Sequence, residues 1–141
     1  MKISGKFLKV NENSDVILPA RQTSGSAGYD FYAPDKIIVP AHGACQFKTG
    51  IIADIELGSV LLLFPRSGLG MKGIRIANTA GVIDSDYKLE IHCKLVNDSD
   101  NDIVIEKNDR YMQGIFVSFG IVEDDEPVKA ERTGGMGSTG V

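Results

Sequence analysis

The sequence has little of the residues that hold small domains together by covalent or metal bonds. It contains two cysteines, Cys45 and Cys93, and two histidines, His42 and His92. None of them shows the C-x-x-C type of spacing that marks a zinc site. Each cysteine lies in an apolar, strand-like stretch, which is typical of a buried free thiol in a reducing compartment.

Long hydrophobic runs and an excess of positive charge are also absent. No run approaches the length of a membrane span, and the N-terminal segment "MKISGKFLKV" lacks the apolar core of a signal peptide. The formal net charge of -4 argues against non-specific nucleic-acid binding, which needs a basic surface. We therefore expect a soluble, cytoplasmic protein with no nucleic-acid or membrane partner, although a small anionic ligand needs only a few local cations.

Helix signals are scarce, whereas short apolar runs between Gly, Pro, Asn and Asp are frequent. This pattern predicts an all-β sandwich or barrel with one short helix near Ser67–Lys72. The predicted strands are Phe7–Val10, Tyr29–Ala33, Lys36–Val39, Ala44–Ile55, Ser59–Phe64, Ile74–Ala77, Leu89–Val96, Asp102–Ile105 and Arg110–Phe119. The 141 residues fit one domain, with a core over 1–122 and an acidic linker and Gly-rich arm over 123–141.

Two of these strands differ in their hydrophobic pattern. In "LEIHCKLV" the residues Leu89, Ile91, Cys93 and Leu95 alternate with polar ones, which predicts one buried and one wet face. The run "VLLLF" (Val60–Phe64) is apolar on both faces, so it belongs to a central strand or to a subunit contact.

Two stretches in the first half of the chain carry groups suited to phosphate and metal. In "SAGYDFYAP" the carboxylate of Asp30 interrupts an apolar strand; it is either a metal or water ligand or a residue of the wet face. In "FPRSGLGMKG" the fork of donors of Arg66, the hydroxyl of Ser67 and the backbone at Gly68 are the parts of a phosphate cradle. The alternative is an ordinary turn with a helix cap at Ser67.

A third stretch, "NTAGVIDSDYKLEI", carries a candidate base. Asp84 follows two β-branched residues, and a carboxylate held against apolar neighbours can act as a general base on water. Tyr87 offers a flat ring on which a sugar could rest. The alternative is a β-hairpin whose aspartates only cap the turn.

The last two stretches lie towards the C-terminus. In "NDRYMQGIF" the pair Gln113-Gly114 interrupts an apolar strand, which indicates either close approach of a ligand or a β-bulge. The tail "RTGGMGSTGV" matches G-x-G-x-x-G, but a dinucleotide site needs a helix after it and only one residue remains. Its arginine, hydroxyls and glycines instead suit a segment that closes over an anion. The five stretches together imply a polyphosphate ligand, a divalent cation and an activated water.

The five stretches resemble the five ordered motifs of the homotrimeric deoxyuridine triphosphatases (dUTPases), from about residue 18 to the C-terminus. That family hydrolyses dUTP to dUMP and pyrophosphate, which limits uracil in DNA and supplies dUMP for thymidylate synthesis. The resemblance implies a distorted jelly roll of β-clip type, a homotrimer with sites shared between subunits, Mg²⁺ as cofactor, and an arm that commonly closes over a neighbouring subunit's site.

The resemblance also assigns a role to each candidate residue. Asp84 would activate the water that attacks the α-phosphorus, and Asp30 would hold Mg²⁺ through water. The base and sugar would be bound by Asn78, Gly81, Val82, Ile83, Tyr87 and Met136. The phosphates would be bound by Arg66, Ser67, Gly68, Gln113, Arg132, Gly135, Gly137, Ser138 and Thr139.

Two residues depart from the family's pattern. Leu89 stands where the family often has glycine, and Met136 stands where it usually has an aromatic residue over the uracil. Leu89 is expected to alter either a subunit contact or the rim of the Asp84 turn.

Met136→Phe is expected not to weaken substrate binding, because methionine covers an aromatic base with less flat area than phenylalanine does. A clear rise in the Kd of a non-hydrolysable dUTP analogue in this variant would contradict that expectation.

Two other functions are compatible with a nucleotide site on this fold. A dCTP deaminase would need an acid/base group aimed at C4 of cytosine, and the spacing from Asp84 to Tyr87 fits the hydrolase better. A dUTP-responsive regulator that binds a protein partner would not need every hydrolytic side chain, although a second, regulatory role is compatible with all of them.

Overall fold

The computed structural model describes residues 1–129, 131–132 and 134–135. Within these residues the chain forms eleven β-strands and one short helix. The elements are β1 (Gly5–Lys9), β2 (Tyr29–Tyr32), β3 (Ile37–Val39), β4 (Ala44–Lys48), β5 (Ile51–Ile55), β6 (Ser59–Pro65), α1 (Ser67–Met71), β7 (Ile74–Ile76), β8 (Gly81–Ile83), β9 (His92–Asn97), β10 (Ile103–Ile105) and β11 (Arg110–Ser118). The prediction of an all-β fold with one short helix is confirmed.

The strands form antiparallel sheets that enclose one apolar core. Their orders are β2-β11-β6-β8, β4-β9-β7, β1-β5 and β3-β10. Short strands rich in Val, Ile and Leu alternate inward and outward, so each sheet contributes one face to the core. The largest fully buried side chains include Tyr111, Phe31, Ile51, Leu61 and Ile91.

The four-stranded sheet brings distant motifs side by side. Asp30 on β2 pairs with Gln113 on β11, and Gln113 pairs with Phe64 on β6. Gly114 lies opposite Leu63, and a Cβ on this glycine would lie 2.9 Å from Leu61 Cδ1. The Gln113-Gly114 pair therefore continues β11, with glycine required by close packing, while the irregularity lies earlier, between Arg110 and Met112.

Strand β6 is central, as one of the two alternatives for the "VLLLF" run requires. It lies between β11 and β8, and its odd-numbered residues from Ser59 to Leu63 are buried. On the other face, Ile115, Leu62 and Val82 form a row across β11, β6 and β8. Val82 is 59% exposed and Leu62 and Ile115 are half-buried. The chain thus presents a partly exposed apolar row beside its central strand.

Two strand predictions differ from the structure. The predicted strand Ala44–Ile55 is divided into β4 and β5, because the chain turns at Gly50, whose φ of 77° favours glycine. The predicted hairpin after Gly81 does not form; β8 pairs with β6, and residues 84–91 are a loop before β9. Ile91, Cys93 and Leu95 are buried as predicted, whereas Leu89 lies in this loop and is 53% exposed.

Both cysteines are free thiols. Cys93 is buried, and this burial raises the pKa of its thiol to about 12, so it stays protonated at neutral pH. Cys45 is only half-buried. In the part of the chain that the structure describes, no helix is both long and apolar enough to cross a membrane.

Candidate active site

A cavity of about 430 Å³ opens beside the loop that follows β8. Strands β4, β7, β8 and β9 and the loop between residues 84 and 91 supply most of its walls. The lining residues are Gln46, Leu63, Ile76, Ala77, Asn78, Gly81, Val82, Ile83, Asp84, Tyr87, Ile91, His92, Cys93, Lys94, Met112 and Arg132. Its floor is largely apolar and its rim carries the carboxylate of Asp84 and the guanidinium of Arg132, so it suits a ligand with an apolar and an ionic end.

The turn between β7 and β8 forms one wall from backbone groups. The amide of Ala80 donates to the carbonyl of Asn78 at 2.7 Å, and Thr79 adopts a left-handed conformation with φ of 68°. Gly81 packs directly on β6, where a Cβ would lie 3.0 Å from two atoms of Leu63. The tight turn and the missing side chain fix the backbone at the edge of the cavity.

The loop from Asp84 to Glu90, here called the Asp84 loop, is fixed by its own hydrogen bonds. The amide of Tyr87 donates to the carbonyl of Asp84 at 3.1 Å, and the Tyr87 hydroxyl donates to the carbonyl of Glu90 at 2.7 Å. The Tyr87 side chain is buried beside the cavity, and this burial raises the pKa of its hydroxyl. The hydroxyl remains a neutral donor at neutral pH, which keeps the ring in place.

Arg132 of the C-terminal arm lies across this loop in the same chain. Its Nη2 donates to Asp84 Oδ2 at 2.7 Å, and its Nε donates to Asp86 Oδ1 at 2.9 Å. The guanidinium carbon lies 5.8 Å from the centre of the Tyr87 ring, and the side chain is only 11% exposed. The hydrogen bond to Asp86 and the charges of both aspartates raise the pKa of Arg132. One cation therefore bridges two carboxylates at the rim of the cavity.

A second cluster lies where β2, β11 and β6 run side by side. Arg66 Nε donates to Asp30 Oδ1 at 3.1 Å, and Arg110 Nη1 lies 3.6 Å from Asp30 Oδ2. The Asp30 side chain is 9% exposed, whereas those of Arg66 and Arg110 are 30% and 38% exposed. The buried carboxylate therefore orients two partly exposed arginines, which we call the arginine pair.

The remaining predicted phosphate contacts lie around the arginine pair. Ser67 and Gly68 begin α1, directly after Arg66. The amide of Gln113 donates to the carbonyl of Pro65 at 3.1 Å, and a Cβ on Gly28 would lie 2.4 Å from Gln113 Oε1. A cavity of about 350 Å³ is lined here by Arg66, Gly68, Leu69, Lys72, Val104, Ile105, Asn108, Asp109 and Arg110. Three cations face this cavity, which therefore suits an anionic group.

One chain thus brings the predicted residues together in two groups. Asn78, Gly81, Val82, Ile83, Asp84, Tyr87 and Arg132 line the larger cavity. Arg66, Ser67, Gly68, Gln113 and Asp30 belong to the other cluster, and none of these five is among the described residues that line the larger cavity. Gly135 lies beside Leu89, where its Cβ would be 3.1 Å from Leu89 Cδ1. The predicted contacts Met136, Gly137, Ser138 and Thr139 lie outside the described residues.

The structure adds side chains to which the sequence had assigned no role. Arg110 joins Asp30, and Asp86 joins Arg132. Gln46 and Lys94, which face each other across β4 and β9, reach the wall of the larger cavity. Lys94 belongs to the wet face predicted for "LEIHCKLV", so the alternation gave a signal for it. The partners of Arg110 and Asp86 had none, because they depend on contacts between distant segments.

Comparisons with known proteins decide the family. The dUTPase family model matches residues 14–140. The chain belongs to the dUTPase family. A deoxyuridine 5'-triphosphate nucleotidohydrolase of Wolinella succinogenes is 36% identical over 144 residues, which cover 99% of this chain and 95% of that protein. The predicted family, and with it the predicted class of enzyme, is confirmed.

Solved structures of the family agree on the fold. The crystal structure of the dUTPase from Streptococcus mutans matches with a TM-score of 0.76 at 32% identity, covering 84% of this chain and 98% of that one. A dUTPase from phage phi11 of S. aureus, whose structure describes a coordinated structural Mg(II) ion, matches with a TM-score of 0.75 over 91% of this chain and 99% of that one. At 19% identity the second likeness concerns the fold.

Proposed function

We propose a residue-level account of how this member of the dUTPase family hydrolyses dUTP to dUMP and pyrophosphate. The observation that supports it most directly is the larger cavity, where an apolar floor, a backbone wall, the ring of Tyr87 and the carboxylate of Asp84 meet. A nucleoside requires the first three, and an attacking water requires the fourth.

Asp84 is the general base of this proposal. Its side chain is 52% exposed at the rim, so a water molecule can reach it. Without nucleotide, its Oδ2 accepts a hydrogen bond from Arg132. The oxygens of a triphosphate compete for the same guanidinium, and its transfer to them would release Asp84 to take a proton from the water that attacks the α-phosphorus.

The nucleoside occupies the larger cavity. The backbone from Asn78 to Ile83 pairs with the polar edge of uracil, and the tight wall excludes the C5 methyl of thymine. Cytosine presents reversed donors and acceptors, which would leave buried groups unpaired. The buried ring of Tyr87 supports the deoxyribose and leaves no room for a 2′-hydroxyl.

The phosphates are bound by Arg66, Gln113, the backbone at Ser67 and Gly68, and Arg132, with Gly135, Gly137, Ser138 and Thr139 of the arm. Asp30 fixes the Arg66 side chain, so its donors are oriented before the ligand arrives. Preorganised cations of this kind neutralise the charge that develops on the leaving pyrophosphate.

The donor groups fit a magnesium ion that is bound mainly by the substrate. In the described part of the chain no three His, Cys, Asp or Glu residues converge on one point. Mg²⁺ favours one or two carboxylates with waters and phosphate oxygens, and Asp30 is the carboxylate that would hold its hydration shell. When bound, the ion withdraws charge from the phosphates.

The active site is completed by other subunits of a homotrimer. The larger cavity and the arginine pair belong to separate groups within one chain, although hydrolysis of a triphosphate needs both. Val82 belongs to the wall of the cavity and to the apolar row with Leu62 and Ile115. A subunit packed on that row would therefore lie at the mouth of the cavity.

A nucleotide panel tests the assigned specificity. With Mg²⁺, dUTP is expected to release pyrophosphate, and dCTP is expected to react roughly 10⁴-fold more slowly because its base leaves buried groups unpaired. UTP and dTTP should also react more slowly than dUTP, and chelation of the metal should abolish turnover. In H₂¹⁸O the label should enter dUMP. Label in pyrophosphate would contradict attack at the α-phosphorus, and ammonia released from dCTP would favour the deaminase alternative.

A further inference from the structure

The C-terminal arm needs side-chain contacts to lie over the cavity. After β11 ends at Ser118, the described residues form no further helix or strand. No backbone ladder therefore positions Arg132 and Gly135 among those residues. Their printed contacts run to the Asp84 loop instead.

Asp86 and Leu89 provide two of these contacts from opposite sides of Tyr87. Asp86 Oδ1 accepts from Arg132 Nε at 2.9 Å. A Cβ on Gly135 would lie 3.1 Å from Leu89 Cδ1 and 4.0 Å from the Tyr87 ring, so only a residue without a side chain can come this close without displacing Leu89. Leu89 is 53% exposed although it is a large apolar residue, and the arm covers part of it.

The loop that carries these two residues is rigid before the arm arrives. The Tyr87 hydroxyl donates to the carbonyl of Glu90, and the Glu90 carboxylate accepts from the amide of Gly50 at 2.8 Å. Lys88 Nζ donates to Asp54 Oδ1 at 2.9 Å. These bonds connect the loop to β5 and its preceding turn, so Asp86 and Leu89 are presented from a fixed scaffold.

We propose that Asp86 and Leu89 are positioning residues that hold the C-terminal arm against the Asp84 loop and place Arg132 at the rim of the cavity. Asp86 binds Nε of Arg132, whereas Asp84 binds Nη2. When the triphosphate draws Nη2 away from Asp84, the bond to Asp86 keeps the arginine close to the site. Leu89 supports the glycine segment that follows.

Trypsin digestion of the full-length, nucleotide-free protein tests this contact directly. Trypsin cuts after arginine, and mass spectrometry of the released peptide 133–141 measures how often Arg132 leaves its position. Asp86→Asn and Leu89→Ala are each expected to increase the rate of this cleavage roughly two- to fivefold, the effect of losing one partly exposed contact. Their double variant should exceed either single variant.

Matched controls exist elsewhere on the surface. Asp98→Asn removes an exposed carboxylate that accepts from Arg75 Nε at 2.8 Å, and Leu57→Ala shortens a leucine that is 89% exposed. Both controls should release peptide 133–141 at the wild-type rate. An unchanged rate in Asp86→Asn or in Leu89→Ala overturns the role of that residue, and an equal increase in the controls overturns the proposal as a whole.

The kinetic consequence rests on the proposed role of Arg132 in phosphate binding. Both variants are expected to raise KM for dUTP two- to fivefold, with kcat nearly unchanged, because they weaken placement of the arm and leave Asp84 intact. Faster proteolysis without a change in KM would support the arm contact and contradict the phosphate role of Arg132. A fall in kcat alone would contradict a positioning role.

Discussion

Asp84→Asn is expected to lower kcat for dUTP roughly 10²–10⁴-fold, which is the usual contribution of one well-placed general base. Asparagine has nearly the same shape, can still accept a hydrogen bond from Arg132, and cannot take a proton from water. Binding should therefore persist, and the Kd of a non-hydrolysable dUTP analogue should stay close to the wild-type value.

The comparison that makes this result specific is Asp98→Asn. That change also removes one exposed aspartate paired with an arginine, but Asp98 lies outside the described lining of the larger cavity. Its kcat should equal that of the wild type. Near-full activity of Asp84→Asn would refute the assignment of the base, and a large loss of analogue binding would move the role of Asp84 from catalysis to binding.

The strands were largely predictable because their signals are local. The alternation in "LEIHCKLV" correctly predicted that Ile91, Cys93 and Leu95 are buried, since a strand repeats its facing every second residue. The same pattern failed at Leu89, because this residue precedes β9 and belongs to a loop fixed by the hydroxyl of Tyr87. The division at Gly50 depends on a left-handed backbone, which the surrounding apolar residues concealed.

The candidate site was predictable as a set of residue types and much less as a set of contacts. The bond between Arg66 and Asp30 joins positions 36 residues apart and depends on β11 lying between β2 and β6. The contact of Arg132 with Asp84 spans 48 residues. Periodicity carries no information about such pairings, so the arginine pair and the second carboxylate on Arg132 emerged only from the tertiary structure.

Mixing two inactive variants is expected to restore activity if each site combines two chains. Asp84→Asn removes the base, and Arg66→Gln removes a phosphate cation while leaving a polar partner for Asp30; each alone should lose roughly 10²-fold or more of its activity. In trimers reassembled from equal amounts, half of the sites receive an intact Asp84 and half receive an intact Arg66. About one quarter of the sites should then carry both, with about one quarter of wild-type activity.

The alternative geometry gives the opposite result. If Asp84 and Arg66 of the same chain served one site, every site in a mixed trimer would keep one defect, and mixing would restore nothing. The unmixed variants taken through the same dissociation and reassembly provide the baseline, and sedimentation of the mixture confirms that trimers have re-formed. Recovery is favoured because Asp84 belongs to the larger cavity whereas Arg66 lines the smaller cavity with Lys72 and Arg110. A triphosphate chain needs the base and the cations at adjacent phosphates, so the apolar row at the cavity's mouth is where a second subunit would supply the missing cations.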